Sequence, residues 1–321
     1  MIVSVRAFVD EHFQHFNAGA LRDTARSLTS FLERGGVLVL TLAGAMSTAG
    51  LGRSIAPLIR AGHVGAISCT GANLEEDLFR LVALNHYEAI PDWRDLSAQD
   101  EAELLARGMN RVTDVCIPEE EAFRRVEHHL FKRWKGAEVD GTRHLPHEYL
   151  YGLLNDGALD ECFEADPDSS WLLAAAKNDL MLVVPGWEDS TLANIMASHV
   201  ISGSLKSTDI VRNGVDYMLR FSEWYRAQTC PVGFLQVGGG IAGDFPICTV
   251  PMLRQDLGQD VPHWSWFAQI SESSPSFGGY SGAPPNEKIT WGKLLPETPR
   301  FVIESDATLV LPLLLGYVLD A

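Results

Sequence analysis

The feature that most constrains the fold is a repeated unit of strand, small-residue loop and helix. Residues 37–42 form an apolar run typical of a parallel strand covered on both faces. Small residues follow at positions 43–52, before a predicted helix. Residues 64–69 form a second apolar run, and the next helix is predicted to start near Leu74 with three acidic residues in its first turn. Two such units in succession predict a doubly wound α/β sheet.

Later segments extend this pattern. Further strands are predicted at residues 180–184, 234–237, 263–270 and 301–305. An amphipathic helix is predicted at residues 18–34, and a C-terminal helix from Asp306. The polar segment 91–168 is interpreted as a helical insertion that covers the sheet. We therefore predict one domain, residues 1–321, with a Rossmann-like, mostly parallel sheet and helices on both faces.

Charge and composition exclude several functions. The formal net charge of −17 argues against binding to nucleic acids or anionic membranes. It serves either solubility or the attraction of a cationic substrate. The longest apolar run, residues 309–319, is too short to span a bilayer. The five cysteines are scattered without a CxxC pair, so we expect a cytoplasmic protein with no metal site.

Ligands of open α/β sheets bind beyond the carboxyl ends of the strands. That edge should carry residues 44–52, 70–76, 186–191 and 238–244, with Asp306 after another strand. Glu75 or Glu76 could accept hydrogen bonds from a ribose, although carboxylates at a helix start also suit the helix dipole. The glycines at 238–240 indicate either close approach of a ligand or a structural bend.

Lys293 follows Trp291 by two residues, after a loop rich in glycine and proline. A reactive lysine amine needs apolar neighbours or a second cation, and Trp291 could supply an apolar wall. A solvated surface lysine is the alternative.

The segment from Ser281 to Lys293 resembles the deoxyhypusine synthase motif S-G-A-x-P-x-E-x-x-x-W-G-K, with its spacing unbroken. Other segments resemble that family in the same order: Thr70-Gly71-Ala72 with Glu75-Glu76-Asp77-Leu78, Glu188-Asp189-Ser190-Thr191-Leu192, Gly238-Gly239-Gly240, and Asp306 to Leu314. The resemblance covers about residues 38–319. It implies a homotetramer with active sites at dimer interfaces, NAD as cofactor and a spermidine-like polyamine as donor.

The resemblance also implies a role for individual residues. Lys293 is expected to carry the aminobutyl group as an imine, and Trp291 and Glu287 to bind the donor. The implied NAD contacts are Thr48, Thr70, Glu76, Asp189, Gly238, Gly240, Ser281 and Asp306.

Three single positions and one adjacent pair depart from the family pattern. Asn194 and Tyr280 stand where the family has acids, Asp244 where it has a histidine, and Gly44-Ala45 where it has Ser-Asn. We therefore expect a reshaped amine site that includes Asn194, Tyr280 and Asp244. This favours a small diamine acceptor, giving homospermidine-type synthesis. Modification of a protein lysine is the second hypothesis, and a non-catalytic NAD or polyamine sensor the third.

Overall fold

A computed structural model describes residues 4–274 and 277–320. Within these ranges the strands are β1 (Val37–Leu42), β2 (Val64–Cys69), β3 (Glu88–Ala89), β4 (Met109–Val112), β5 (Val115–Pro118), β6 (Met181–Val183), β7 (Val232–Val237), β8 (Trp266–Ile270) and β9 (Arg300–Ile303). The helices are α1 (Val5–His12), α2 (Phe16–Glu33), α3 (Gly52–Arg60), α4 (Gly71–Ala83), α5 (Ala98–Ala106), α6 (Arg125–Asp140), α7 (Pro146–Asn155), α8 (Trp171–Lys177), α9 (Thr191–Ile201), α10 (Gly214–Arg226), α11 (Gly240–Ile247), α12 (Thr249–Pro251), α13 (Glu287–Thr290) and α14 (Ala307–Leu319).

The main sheet has six parallel strands in the spatial order β6-β2-β1-β7-β8-β9. Among the strands of this sheet, counted along the chain, that order is 3-2-1-4-5-6. It is the order of doubly wound dinucleotide-binding folds, in which ligands bind where the order reverses, here between β1 and β7. The predicted α/β class with a doubly wound parallel sheet is confirmed.

Helices cover both faces of this sheet. On β7, a Cβ atom at Gly233 would lie 2.8 Å from the Phe31 ring of α2. Gln236 faces α11 instead: a Cβ atom at Gly243 of that helix would lie 3.0 Å from the Gln236 amide oxygen. Residues three apart on a strand point to opposite faces. Burial on both faces explains why β7 is buried throughout and, apart from Gln236, carries no polar side chain.

The segment predicted as a helical insertion contains α5, α6 and α7, and also β4 and β5, which form a three-stranded antiparallel sheet with β3 just before the segment, in the order β3-β5-β4. These strands were not predicted because they are two to four residues long and because β3 and β4 are only partly buried, so their sequences show no clear apolar alternation. A tight turn joins β4 to β5, with Thr113 in the left-handed region at φ 56°.

The helix after β2 begins earlier than predicted. Thr70 caps α4 by accepting a hydrogen bond from the Asn73 amide at 3.2 Å, so the helix starts at Gly71. The predicted placement of Glu75, Glu76 and Asp77 in the first turn is therefore wrong, because the first turn holds no acidic residue. The described helices include none that is both long and apolar enough to cross a membrane.

Candidate active site

A pocket of about 300 Å³ is lined by α11 and its C-cap, and by the segment between β8 and β9. The structure brings five predicted site residues together there: Asp244, Tyr280, Glu287, Trp291 and Lys293. Asp244 follows β7 and the other four follow β8, a neighbouring parallel strand. These residues meet because the carboxyl ends of parallel strands lie at one edge of the sheet.

Lys293 is buried, with 5% of its surface exposed. Its Nζ donates a hydrogen bond to Asp244 Oδ1 at 3.0 Å. The same Nζ lies 5.4 Å from the ring centroid of Tyr280 and 5.6 Å from that of Trp291. The alternative of a solvated surface lysine is wrong, and Lys293 has the apolar surroundings that a reactive amine requires.

Tyr280 forms an aromatic wall of the pocket. Its hydroxyl donates to Gln236 Oε1 at 2.7 Å, which turns the polar end of the ring toward β7. Burial raises the pKa of the Tyr280 phenol well above its ordinary value, so the group stays neutral at physiological pH. The ring therefore offers its π face, rather than a negative charge, to cations in the pocket.

Two ionisable side chains of this pocket, those of Lys288 and Cys248, were not predicted from the sequence. Lys288 is 3% exposed, and its Nζ has no hydrogen-bond partner among the residues that the structure describes. Two effects lower the pKa of Lys288 to about 8: desolvation is the larger, and repulsion from Lys293 the smaller.

Cys248 lies one helical turn after Asp244, with Sγ 3.7 Å from Asp244 Oδ1. Burial raises the pKa of this thiol, so it stays protonated and packs as a small apolar group. The i, i+4 spacing from Asp244 was the available signal for Cys248.

Trp291 and Glu287 lie on the open side of the pocket. Trp291 is 62% exposed although its ring faces Lys293, and Glu287 is also exposed. An exposed indole and carboxylate at a pocket mouth suit the binding of an amine that enters from solvent.

A second group of predicted residues lies at the ends of β1 and β2. Thr48 donates a hydrogen bond to Glu76 Oε2 at 2.5 Å, and both residues are buried. Desolvation raises the pKa of Glu76 to about 7, partly opposed by the Thr48 hydrogen bond. Glu76 is thus a carboxylate near half-ionisation at neutral pH.

The neighbouring acids have structural roles. Glu75 accepts hydrogen bonds from the amides of Thr191 and Leu192, and so caps the start of α9. Asp77 accepts from the Ser170 hydroxyl and the Leu172 amide at the start of α8. Of the two candidate ribose acceptors, Glu75 is therefore occupied within the fold, which favours Glu76.

At two positions of the glycine triplet 238–240, a larger side chain would collide with neighbouring atoms. Gly238 has φ 80°, and an added Cβ would lie 2.8 Å from the Ala43 Cβ. At Gly239 an added Cβ would lie 2.0 Å from Ser281 Oγ, and that oxygen accepts a hydrogen bond from the Gly240 amide at 3.1 Å. The triplet thus holds the predicted cofactor residues Gly238, Gly240 and Ser281 close together.

Thr70 and Asp306 both cap helices. Thr70 also donates from its hydroxyl to the Gly44 carbonyl at 2.7 Å. Asp306 Oδ1 accepts from the amide and the hydroxyl of Thr308 at 2.7 and 2.8 Å. The buried Asn73, which sequence analysis did not select, binds the loop after β1 through Ser47 and Gly44. These contacts hold the loops at the strand ends in place.

Asp189 and Asn194 do not line the pocket of Lys293. Both follow β6 and are exposed. Asn194 lines a different pocket, of about 350 Å³, together with Trp187 and Glu188. Within one chain the structure does not bring Asn194 to the pocket of Lys293.

The sequence model of the family described as deoxyhypusine synthase matches residues 11–318. The chain is 30% identical to a deoxyhypusine synthase-like protein of Thermosynechococcus vestitus, over 99% of this chain and 79% of that protein. It is 27% identical to a probable deoxyhypusine synthase 1 of Archaeoglobus fulgidus, over 95% of this chain and 90% of that protein.

The fold is similar to the crystal structure of a putative deoxyhypusine synthase from Entamoeba histolytica. The TM-score is 0.60 at 12% identity, over 98% of this chain and 93% of that chain. At this identity the likeness concerns the fold alone.

Proposed function

This chain belongs to the deoxyhypusine synthase family, and on that premise we propose that it is an NAD-dependent aminobutyltransferase. The donor is a spermidine-like polyamine, and Lys293 carries the aminobutyl group as an imine to an amine acceptor. Membership of the family supports aminobutyl transfer in general. The observation that carries the assignment to Lys293 is its buried amine, 3.0 Å from Asp244 in a pocket walled by Tyr280 and Trp291.

We assign NAD to the edge where β1, β2 and β7 end, within a single domain that spans residues 1–321. The Thr48–Glu76 pair provides an oxygen acceptor for ribose hydroxyls. The glycines at 238 and 240 leave the end of β7 free of side chains. Further contacts are proposed for Thr70, Asp189, Ser281 and Asp306. When bound, NAD would accept a hydride from the carbon beside the donor's secondary amine and return it to the product.

Lys293 acts on the donor once that donor carries a C=N bond. The neutral Nζ adds to the carbon of this bond, and the bond from that carbon to the leaving diamine breaks as the diamine takes up a proton. The aminobutyl group is then an imine on Lys293, and an acceptor amine displaces it in the same way. Asp244 can accept the proton that Nζ releases, since its Oδ1 already receives a hydrogen bond from Nζ.

The acceptor that we favour is a small diamine such as putrescine, which would yield homospermidine. A pocket of about 300 Å³ has room for a short aliphatic amine. Glu287 and Trp291 at the mouth could bind its far ammonium group. Tyr280 replaces a family acid with a neutral ring, which supports an acceptor different from that of the strict family.

We also propose a cytoplasmic homotetramer with active sites at dimer interfaces. Asn194 can contribute to the amine site only if a second copy of the chain brings its pocket to Lys293. Sedimentation analysis at several protein concentrations tests this assembly, and a monomer throughout would rule it out.

The deciding experiment is a product assay by mass spectrometry with NAD, spermidine and putrescine. We expect homospermidine and diaminopropane from the wild type and neither from Lys293→Ala. Diaminopropane without homospermidine would retain the imine route and assign another acceptor, such as a protein lysine. Binding of NAD without any diaminopropane would identify a sensor and overturn the proposal.

A further inference from the structure

Lys288 is a second lysine in the pocket of Lys293, at a position that the motif from Ser281 to Lys293 leaves unspecified. It lies on α13, and its backbone carbonyl accepts a hydrogen bond from the Lys293 amide at 3.0 Å. Its Nζ lies 5.0 Å from the ring centroid of Phe267 and 4.7 Å from that of Tyr280. Lys288 therefore packs a primary amine against two aromatic rings beside the predicted nucleophile.

Lys288 differs from Lys293 in lacking a counterion. Nζ of Lys293 donates a hydrogen bond to the Asp244 carboxylate at 3.0 Å. No ion pair within residues 4–274 and 277–320 includes Lys288, and its Nζ has no hydrogen-bond partner in those ranges. Burying an ammonium group without a partner destabilises a fold, and a methionine would serve packing alone as well. The buried amine of Lys288 therefore calls for an explanation other than stability.

The surroundings of Lys288 favour its neutral form. The charged groups that face it are Lys293, Asp244 and Glu287. Desolvation first, and then repulsion from Lys293, lower the pKa of Lys288 to about 8, so part of this amine is neutral at physiological pH. A neutral lysine amine in an apolar site beside a second cation is one of the arrangements that activate lysines for imine formation.

We propose that Lys288 is a second imine-forming lysine of this pocket, and that it takes short aliphatic aldehydes. Its Nζ adds to the carbonyl carbon, and the carbonyl oxygen leaves as water with two protons from the amine, so no oxidant or reductant takes part. The pocket of about 300 Å³ has room for a four-carbon chain. Because Lys288 is 3% exposed, an imine at this position is shielded from hydrolysis by bulk water.

The aldehyde has a source within the proposed function. Attack of water on the imine of Lys293 would release an aminoaldehyde and restore the lysine amine. Lys288 would capture this aldehyde and retain it in the pocket. This biological role rests on the proposed function, whereas the reactivity of Lys288 follows from its surroundings and is tested separately.

The test treats the folded wild type with butanal and cyanoborohydride at about pH 7.5, which reduces each imine to a stable butyl-lysine. Mass spectrometry follows the adduct at each position over time, and fragmentation of the peptide that carries both lysines assigns it to Lys288 or Lys293. We expect Lys288 to be butylated at least about 10-fold faster than the exposed Lys132. Unfolding in urea should remove this difference, since the fold is its cause.

Lys288→Arg keeps the positive charge but offers no amine for imine formation, so it should abolish the adduct at this position. Lys132→Arg is the matched control and should leave the labelling of Lys288 unchanged. Labelling of Lys288 no faster than that of Lys132 in the wild type would overturn the proposal. An adduct that survived in Lys288→Arg would belong to Lys293 and would overturn it as well. The labelling uses neither NAD nor polyamine, so its outcome is independent of the product assay.

Discussion

The side chains of Lys293 and Asp244 form an ion pair that is buried at one end and open at the other. Nζ and Oδ1 are 3.0 Å apart, and the side-chain exposure is 6% for the lysine and 47% for the aspartate. The lysine is thus shielded from water, whereas the aspartate remains in contact with water. Such a carboxylate can accept a proton from the amine and exchange it with solvent or substrate.

Asp244→Asn should slow aminobutyl transfer by about 100-fold, because the amide keeps the shape of Asp244 but cannot accept the proton from Lys293. Diaminopropane release from spermidine, followed under single-turnover conditions, measures the effect. Asp114→Asn makes the same change at an exposed site and should leave the rate unaltered. A full rate in Asp244→Asn would assign the proton acceptor elsewhere.

Trp291→Ala should raise the KM for the donor by about 2- to 30-fold, the range expected for loss of one cation–π contact. Trp291 is 62% exposed, so removal of its indole leaves no buried cavity and should cost little stability. Trp291→Phe should retain part of the affinity because it keeps an aromatic face. An unchanged KM in Trp291→Ala would remove this residue from the donor site.

The sequence could indicate which residues share the pocket of Lys293 because four of the five lie within one short segment, from Tyr280 to Lys293. Asp244 could be added because parallel strands end at a common edge. Lys288 could not, since its burial depends on the rings of Phe267 and Tyr280, which only the tertiary fold brings over it. The strands β3, β4 and β5 were missed because they are short and form their sheet apart from the main one.

Tyr280→Phe should lower the free energy of unfolding by about 1–3 kcal/mol, because the buried Gln236 oxygen loses its hydrogen-bond donor. The ring that faces the two lysines remains, so Lys293 should still form a borohydride-trappable imine. Tyr87→Phe is the matched control, since the buried Tyr87 hydroxyl has no partner among the described residues. Urea unfolding should find Tyr87→Phe neutral or stabilising, and an equal loss in both variants would contradict the assigned role of the Gln236 contact.

NAD affinity should depend on pH through Glu76. Burial raises the pKa of this carboxyl to about 7, so its ionised fraction increases between pH 6 and pH 8. An ionised carboxylate accepts hydrogen bonds from ribose hydroxyls more strongly than a protonated one. We therefore expect NAD to bind about 3- to 10-fold more tightly at pH 8 than at pH 6, as measured by calorimetric titration.

Glu76→Gln resembles the protonated form at every pH, and Thr48 can still donate its hydroxyl hydrogen to the amide oxygen. This variant should bind NAD about 10-fold more weakly than the wild type at pH 8, with an affinity that no longer varies with pH. Glu120→Gln makes the same change at an exposed position and should keep the wild-type pH dependence. If Glu76→Gln kept that dependence too, the titrating group would be another residue, and the ribose would lie elsewhere along the strand ends.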